Sequence, residues 1–262
     1  VLGHESAGVV EAVGEHVRTV KVGDHVITCL SAYCGRCADC LTGHMAVCVS
    51  PDTRRPRGAP PRLTRDGAAV GQFFNLSSFA PYMLVHEHAC VSIRKDMPLD
   101  RAALIGCSVM TGVGAVIHTS GVRPGETVAV IGCGGVGLSA INGADIAGAG
   151  RIIAIDTQAE KLELARTFGA TDTVDASDGD PVHAVMALTG DGVHHSFEAV
   201  GLKTTAEQAF RMLRRRGTAN IIGMIPVGVN IEISGADLLA ERRIQGSAMG
   251  SNRFPVDMPR LV

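Results

Sequence analysis

Cysteines at 34, 37, 40 and 48, spaced C-x2-C-x2-C-x7-C behind the turn Tyr33-Cys34-Gly35-Arg36-Cys37, constrain this chain more than any other feature. Thiolates that close in sequence can surround one tetrahedral ion with Zn–S bonds of about 2.3 Å. Disulfides among them would be cramped and three pairings would compete, which leaves a redox or disulfide cluster as the weaker reading. Four sulfur ligands complete the coordination of zinc, so an ion held by Cys34, Cys37, Cys40 and Cys48 is expected to be structural.

A second motif carries the function. Thr127-Val-Ala-Val-Ile is a β-branched run that opens into Gly132-Cys133-Gly134-Gly135-Val136-Gly137, a G-x-G-x-x-G sequence. A helical stretch ending near Ala149 follows, then a second apolar run, Arg151 to Asp156. Strand, glycine loop, helix, strand and a terminal carboxylate together form the dinucleotide-binding unit, where the glycine motif alone would be weak evidence. Gly132 permits the tight turn, Gly134 lets the backbone approach a pyrophosphate, and Gly137 allows helix to pack on strand. The pyrophosphate would rest on the N-terminus of the helix. Asp156 selects the cofactor: its carboxylate can accept two ribose hydroxyl hydrogens but would oppose the 2′-phosphate of NADP. Like charges about 4 Å apart repel by about 4 kcal/mol at an effective dielectric near 20. NAD is therefore expected, with Lys161 placed either to reach the same ribose or simply to lie on an exposed helix face.

Composition excludes several classes. Lys+Arg (24) do not exceed Asp+Glu (26), aromatic residues make up 3% and Trp is absent, which disfavours nucleic-acid binding. There is no window of eighteen apolar residues, so no membrane-spanning helix is expected. At about 150 residues per domain, 262 residues suggest one or two domains. The first hundred residues read as short strands and tight turns: Ala7 to Val13, a turn at Gly23-Asp24, and His25 to Leu30. Four prolines between Ser50 and Gly71 predict a long excursion, and Phe79 to Val91 predicts renewed strand. From about Met110, strands at 127–132, 151–156, 171–174, 193–199, 217–223 and 243–248 alternate with helices, predicting a doubly wound parallel sheet of α/β class. Arg54, Arg55, Arg57, Arg62 and Arg65 form a basic segment read as a solvated loop that could also offset the −2 charge of a tetrathiolate zinc site.

Gly3-His4-Glu5 with Gly8-Val9-Val10, the cysteine lobe, Gly106-Cys107 with Thr111-Gly112, and the glycine fingerprint occur in that order. In this the chain resembles the zinc-dependent alcohol dehydrogenases of the medium-chain dehydrogenase/reductase family, of the long-loop type that includes glutathione-dependent formaldehyde dehydrogenase. The resemblance runs through essentially all of the chain. It implies a Rossmann sheet plus an irregular, β-rich GroES-like catalytic domain bearing the zinc lobe. The expected limits are 1–109 for the catalytic domain, 110–250 for the NAD-binding domain and 251–262 for the start of a return to the first. It also implies hydride transfer between an alcohol or aldehyde and NAD, two zinc ions in a complete chain, a small alcohol or aldehyde substrate, and a homodimer or higher homo-oligomer. His4 and Cys107 resemble two of three ligands of the catalytic zinc and Glu5 the neighbouring carboxylate. Such an ion needs three protein ligands and an open position for substrate. His4 and Cys107 should then converge, at the cleft between the domains. Thr111 resembles a residue packed against the nicotinamide, and Val136 and Ile225 resemble its apolar walls. Cys29, Cys90 and Cys133 are expected in core or turn positions.

The family's first catalytic-zinc cysteine and its proton relay lie upstream of Gly-His-Glu, whereas this chain begins at Val1 and has no initiator Met. It reads as an internal fragment of a longer enzyme, expected by itself to hold the second zinc weakly and to oxidise no alcohol. Pro81 stands where relatives usually have an acidic residue, predicting a local change at a strand start. Eight cysteines in metal-site and buried contexts suggest a cytoplasmic protein. Two alternatives bear on function: a zinc-free medium-chain reductase, expected to lack His4, Glu5 and Cys107, and a non-catalytic NAD-binding protein of the same fold.

Overall fold

Short β-branched runs broken by glycine can support only short strands, and the first part of the chain folds that way. In the computed structural model, which describes residues 1–53, 56 and 58–262, β1 (Ala7–Val9) pairs antiparallel with β2 (His25–Thr28). The strand expected to reach Val13 stops at Val9, although Val10 still bonds Asp24 and Gly23 through its backbone. The cysteine segment carries one helical turn, α1 (Ala38–Leu41). The expected excursion holds a hairpin, β3 (Leu63–Arg65) and β4 (Ala68–Val70), joined at Asp66-Gly67, both of positive φ as a type I′ turn demands. Arg54, Arg55 and Arg57 lie outside the described residues, while Arg62 and Arg65 are exposed.

The strand expected over Phe79 to Val91 is corrected. Only β5 (Cys90–Ile93) pairs, on the far edge of β2, and Phe79, Tyr82 and Leu84 are exposed. Pro81 lacks a backbone donor, and no strand among the described residues pairs with 79–86. With no strand there, Pro81 alters no strand start.

After α2 (Leu99–Ala102), α3 (Ser108–Gly114) runs into a π-helical turn at 115–120, ended by Gly121. Six parallel strands follow: β6 (Thr127–Ile131), β7 (Arg151–Asp156), β8 (Asp172–Asp175), β9 (Val193–Glu198), β10 (Leu213–Ile221) and β11 (Arg243–Gly246). The helices between them are α4 (Gly135–Ile146), α5 (Ala159–Thr167), α6 (Pro181–Thr189) and α7 (Lys203–Arg211). The order β11-β10-β9-β6-β7-β8 reverses direction between β6 and β9, the switch point of a doubly wound sheet.

Alternate residues of β6 face two separate cores: Val128 and Val130 join Ile152 and Phe197, while Ala129 and Ile131 join Ile153, Ile155 and Phe210. Burying each large side chain contributes about 1.5–3 kcal/mol, so covering both faces is what stabilises this sheet. Two compact units result, Thr111–Ser251 and Val1–Met110 with Asn252–Val262. In the latter, α8 (Phe254–Asp257) buries Phe254 near Tyr33, and the Asn252 amide donates to the Met110 carbonyl at 2.6 Å. Among the described residues no single helix is long and apolar enough to cross a membrane.

Candidate metal centres and dinucleotide-binding edge

The cysteine lobe is folded by its own sulfur atoms. Cys37 caps α1, its Sγ accepting from the Cys40 N–H at 3.5 Å, and Cys34 Sγ accepts from the Cys37 N–H at 3.3 Å. Cys48 Sγ accepts from the Cys34 N–H at 3.4 Å. The Cys34–Cys40 and Cys37–Cys48 sulfur pairs stand 4.0 and 3.9 Å apart, and all four sulfurs lie within 4.8 Å of one another. A tetrahedron with bonds of about 2.3 Å has edges of about 3.8 Å, so the four thiols fit one zinc ion with little adjustment. The Arg36 N–H, then that of Cys37, pulls the Cys34 thiol down to about 6, whereas burial pushes Cys40 up to about 12. Only a cation would stabilise four thiolates packed so closely. The root of the lobe is held by Tyr33, which stacks on His88 with centroids 4.7 Å apart.

His4, Glu5 and Cys107, the first and last 103 positions apart, bring one ligand atom each within 4.8 Å of one another. Gly106 makes this approach possible: a Cβ there would lie 2.3 Å from the Thr28 carbonyl oxygen. Glu5 Oε1 accepts the Ser108 N–H at 2.9 Å, which orients the carboxylate and satisfies a free donor at the start of α3. An imidazole, a thiol and a carboxylate form a donor set suited to zinc. Phe73 and Phe74 wall His4, with ring centroids at 5.8 and 6.3 Å. Neighbouring Cys29 stays a thiol, its pKa pushed up to about 12 by burial.

At the carboxyl edge of the sheet the glycines meet a physical requirement. Gly132 has φ +91°, and a Cβ on Gly137 would fall 1.7 Å from the Gly132 oxygen, so loop and helix can touch only through glycine. Gly134 and Gly135 open α4, and a Cβ on Gly134 would meet only open space, as a cradle for a pyrophosphate requires. Asp156 ends β7 with its carboxylate turned into this loop: Oδ2 accepts the Cys133 N–H at 2.8 Å, and Oδ1 accepts those of Thr157 and Gln158 at 2.8 and 3.1 Å. Three of its roughly four acceptor sites are thus filled, leaving capacity for about one further hydrogen bond. Lys161 lies near enough for its charge to act on the Cys133 thiol, which burial and Asp156 push up to about 12. Thr111 is buried with its hydroxyl directed at Met249 Sδ, and Val136 and Ile225 are half-buried.

Sequence reasoning missed two polar groups in this unit. Glu198, at the end of β9, is wholly buried. Its signal was a lone acid closing the strand Val193–Glu198 at the switch point. The other is a relay toward the amino-terminal ends of the strands, for which no sequence motif exists. Glu126 Oε2 takes the His195 Nε2–H at 3.0 Å, so Nδ1 accepts from Ser120 Oγ at 2.6 Å. Asn220 donates to that hydroxyl at 3.0 Å, and Gln245 donates to Asn220 at 2.8 Å. The relay pins the π-helical turn to the sheet. Burial lowers the His195 pKa below its ordinary 6.5, against the pull of Glu126. For Glu126 burial acts upward, but the Arg123 N–H and His195 outweigh it and hold the carboxyl below 4.5. Both groups bind fewer protons folded than unfolded, so their stabilisation is full above about pH 6.5 and lost as pH falls. Thermal melts from about pH 7.5 to 4.5 are expected to show a falling transition, and His195→Gln is expected to flatten the upper part of that fall. A slope unchanged in the variant would refute this assignment.

A six-stranded doubly wound sheet with a glycine-lined edge, in a chain that also carries a four-cysteine lobe and a His-Glu-Cys cluster, defines a zinc-dependent medium-chain dehydrogenase. Residues 135–262 match the family model for zinc-binding dehydrogenases, and residues 1–95 match that for the alcohol dehydrogenase GroES-like domain. The S-(hydroxymethyl)glutathione dehydrogenase of Synechocystis sp. is 39% identical over 269 residues, spanning 100% of this chain and 73% of the relative. Among solved structures, benzyl alcohol dehydrogenase from Acinetobacter calcoaceticus is 35% identical with a TM-score of 0.90, covering 100% of this chain and 72% of that one. A zinc-binding dehydrogenase from Sinorhizobium meliloti 1021 bound to NADP is 31% identical with a TM-score of 0.80, covering 99% and 70%. The chain belongs to the zinc-binding alcohol dehydrogenase family, oxidoreductases that move a hydride between an alcohol or aldehyde and a nicotinamide dinucleotide.

Proposed function

We propose that this chain supplies two zinc sites and an NAD site to the oxidation of a small alcohol or the reduction of its aldehyde. Cys34, Cys37, Cys40 and Cys48 hold the structural ion. His4, Glu5 and Cys107 hold the reactive one, and their convergence from distant positions is the observation that carries the reading. When bound, that zinc supplies Lewis acidity, lowering the pKa of an alcohol and polarising a carbonyl. The protein's part is positional. Ser108 aims Glu5, Gly106 seats Cys107, and the loop at 132–137 receives the pyrophosphate. Thr111, Val136 and Ile225 border the nicotinamide. Asp156 takes the adenosine ribose and repels a 2′-phosphate, which favours NAD, with Lys161 beside it.

The substrate class is a primary alcohol or a glutathione adduct, a reading supported by the names of two relatives, S-(hydroxymethyl)glutathione dehydrogenase and benzyl alcohol dehydrogenase. A homodimer or higher homo-oligomer fits β11, an edge strand whose outer side pairs with nothing among the described residues, near the 89% exposed Leu239. Cysteines placed in metal-ligand positions and in buried positions, as at Cys34, Cys40 and Cys29, support a reducing, cytoplasmic setting.

The test is metal content. In excess zinc the chain is expected to bind about two equivalents, the second weakly, and Cys107→Ser about one, because a serine hydroxyl is a poor zinc ligand. Cobalt substitution reads the same site by its thiolate charge-transfer band, which the variant should lose in part. Two equivalents retained by Cys107→Ser would defeat the assignment.

A further inference from the structure

Glu198 is a charged-type residue with no exposed surface, standing between β6 and β10 opposite Ile131 and Ile221. Its Oε1 accepts three hydrogen bonds, from the Val200 N–H at 2.9 Å, the Gly201 N–H at 2.7 Å and Thr205 Oγ1 at 2.7 Å. Its Oε2 has no hydrogen-bond partner among the described residues and faces Gly223, where a Cβ would lie 2.5 Å away. The Glu198 carbonyl accepts from the Ile222 and Gly223 N–H groups at 2.9 and 3.0 Å. One residue therefore ties together the turn after β9 and the segment after β10. These two interlock closely: a Cβ on Gly201 would fall 2.9 Å from the Met224 nitrogen, and one on Gly223 would fall 2.2 Å from the Gly201 nitrogen. The same turn presses on the glycine loop, with Val200 Cγ2 2.6 Å from where a Gly132 Cβ would be.

The direction of the cofactor gives this clamp a purpose. With the pyrophosphate on the glycine loop and the adenosine ribose at the end of β7, the other half of a dinucleotide extends across the ends of β9 and β10. We infer that Glu198 is a positioning residue for the nicotinamide half of the cofactor, holding the turn at 199–202 and the segment at 222–225 as its floor. This rests on the proposed dinucleotide site. A buried carboxyl accepting three donors is costly to replace, since each donor left unpaired pays its full desolvation cost.

The test compares NADH with ADP-ribose, which shares the adenosine half and lacks the nicotinamide. Binding is measured on the full chain by fluorescence and calorimetry, well below the melting transition. Glu198→Ala is expected to weaken NADH about tenfold or more and to leave ADP-ribose within about threefold. It should also diminish the blue shift of bound nicotinamide emission. Glu198→Gln, which keeps one oxygen for the three donors, should restore both ligands to within about threefold of the unmodified chain. Should Glu198→Ala fail to fold, Thr205→Val removes a single donor and is expected to show the same split at about threefold. Equal losses for both ligands, or none, overturn the inference alone. An unmodified chain that binds neither ligand overturns the dinucleotide reading and this inference with it.

Discussion

Cys40→Ser is expected to release the zinc of the cysteine lobe and to unfold residues 34–48. Cys40 is buried, as Cys48 is, and its N–H also bonds Cys37 Sγ, so it joins the metal to α1. Among the described residues this segment has little core of its own, and its internal order comes from N–H···S bonds and the single turn α1. Structural zinc contributes roughly 10–16 kcal/mol to the folding of small peptides, more than such contacts can replace. Metal analysis should find about one equivalent fewer than in the unmodified chain. Limited trypsin digestion should cleave after Arg36, which the folded lobe holds in an ion pair with Asp52. The unit at Thr111–Ser251 has two cores of its own and should keep its melting transition. Unchanged zinc content, or resistance of Arg36 to trypsin, would contradict the structural role.

The doubly wound half was legible because its signals are local and repeated. The first two strands are short β-branched runs, each helix follows its strand within a few residues, and Gly132 and Asp156 mark the ends of those two strands. Boundaries moved by a few residues, most at β10, which begins at Leu213 rather than 217 because an irregular Arg-rich stretch precedes its regular pairing with β9. In the β-rich half, local signals mislead. Phe79 to Val91 alternates like a strand, but pairing depends on a neighbouring backbone, and Pro81 weakens any ladder there. The hairpin at 63–70 was signalled by Asp66-Gly67, which the surrounding prolines obscured.

Sites divide along the same line. The cysteine lobe and glycine loop are contiguous in sequence and can be read from spacing. His4 and Cys107 are isolated residues whose pairing came from resemblance to a family. Glu198 and the Glu126–His195–Ser120 relay depend on β9 lying between β6 and β10, a crossover that no local pattern encodes.

Asp156 offers the second large effect, and the structure alters how it should be tested. Removing the side chain, as in Asp156→Gly, deletes a charge but also the acceptor for the Cys133, Thr157 and Gln158 N–H groups. The glycine loop would loosen, and both cofactors should bind more weakly. Asp156→Asn comes closer to separating the two effects: it abolishes the charge and keeps one oxygen for the Thr157 and Gln158 N–H groups, at the expense of the bond from the Cys133 N–H. Repulsion of a 2′-phosphate by about 4 kcal/mol at 4 Å corresponds to nearly a thousandfold in affinity, and solvent at this half-exposed site reduces that to about a hundredfold. The unmodified chain should therefore bind NADH about a hundredfold more tightly than NADPH. In Asp156→Asn the gap should close to about tenfold or less, through tighter NADPH and weaker NADH together, because a ribose hydroxyl bond to a charged acceptor contributes about 1.5–3 kcal/mol, comparable with the repulsion removed. Paired fluorescence titrations at fixed ionic strength decide it, and raising the salt should narrow the gap in the unmodified chain but not in the variant. A preference of the unmodified chain for NADPH, or a gap that Asp156→Asn leaves intact, would show that selectivity arises elsewhere along the edge.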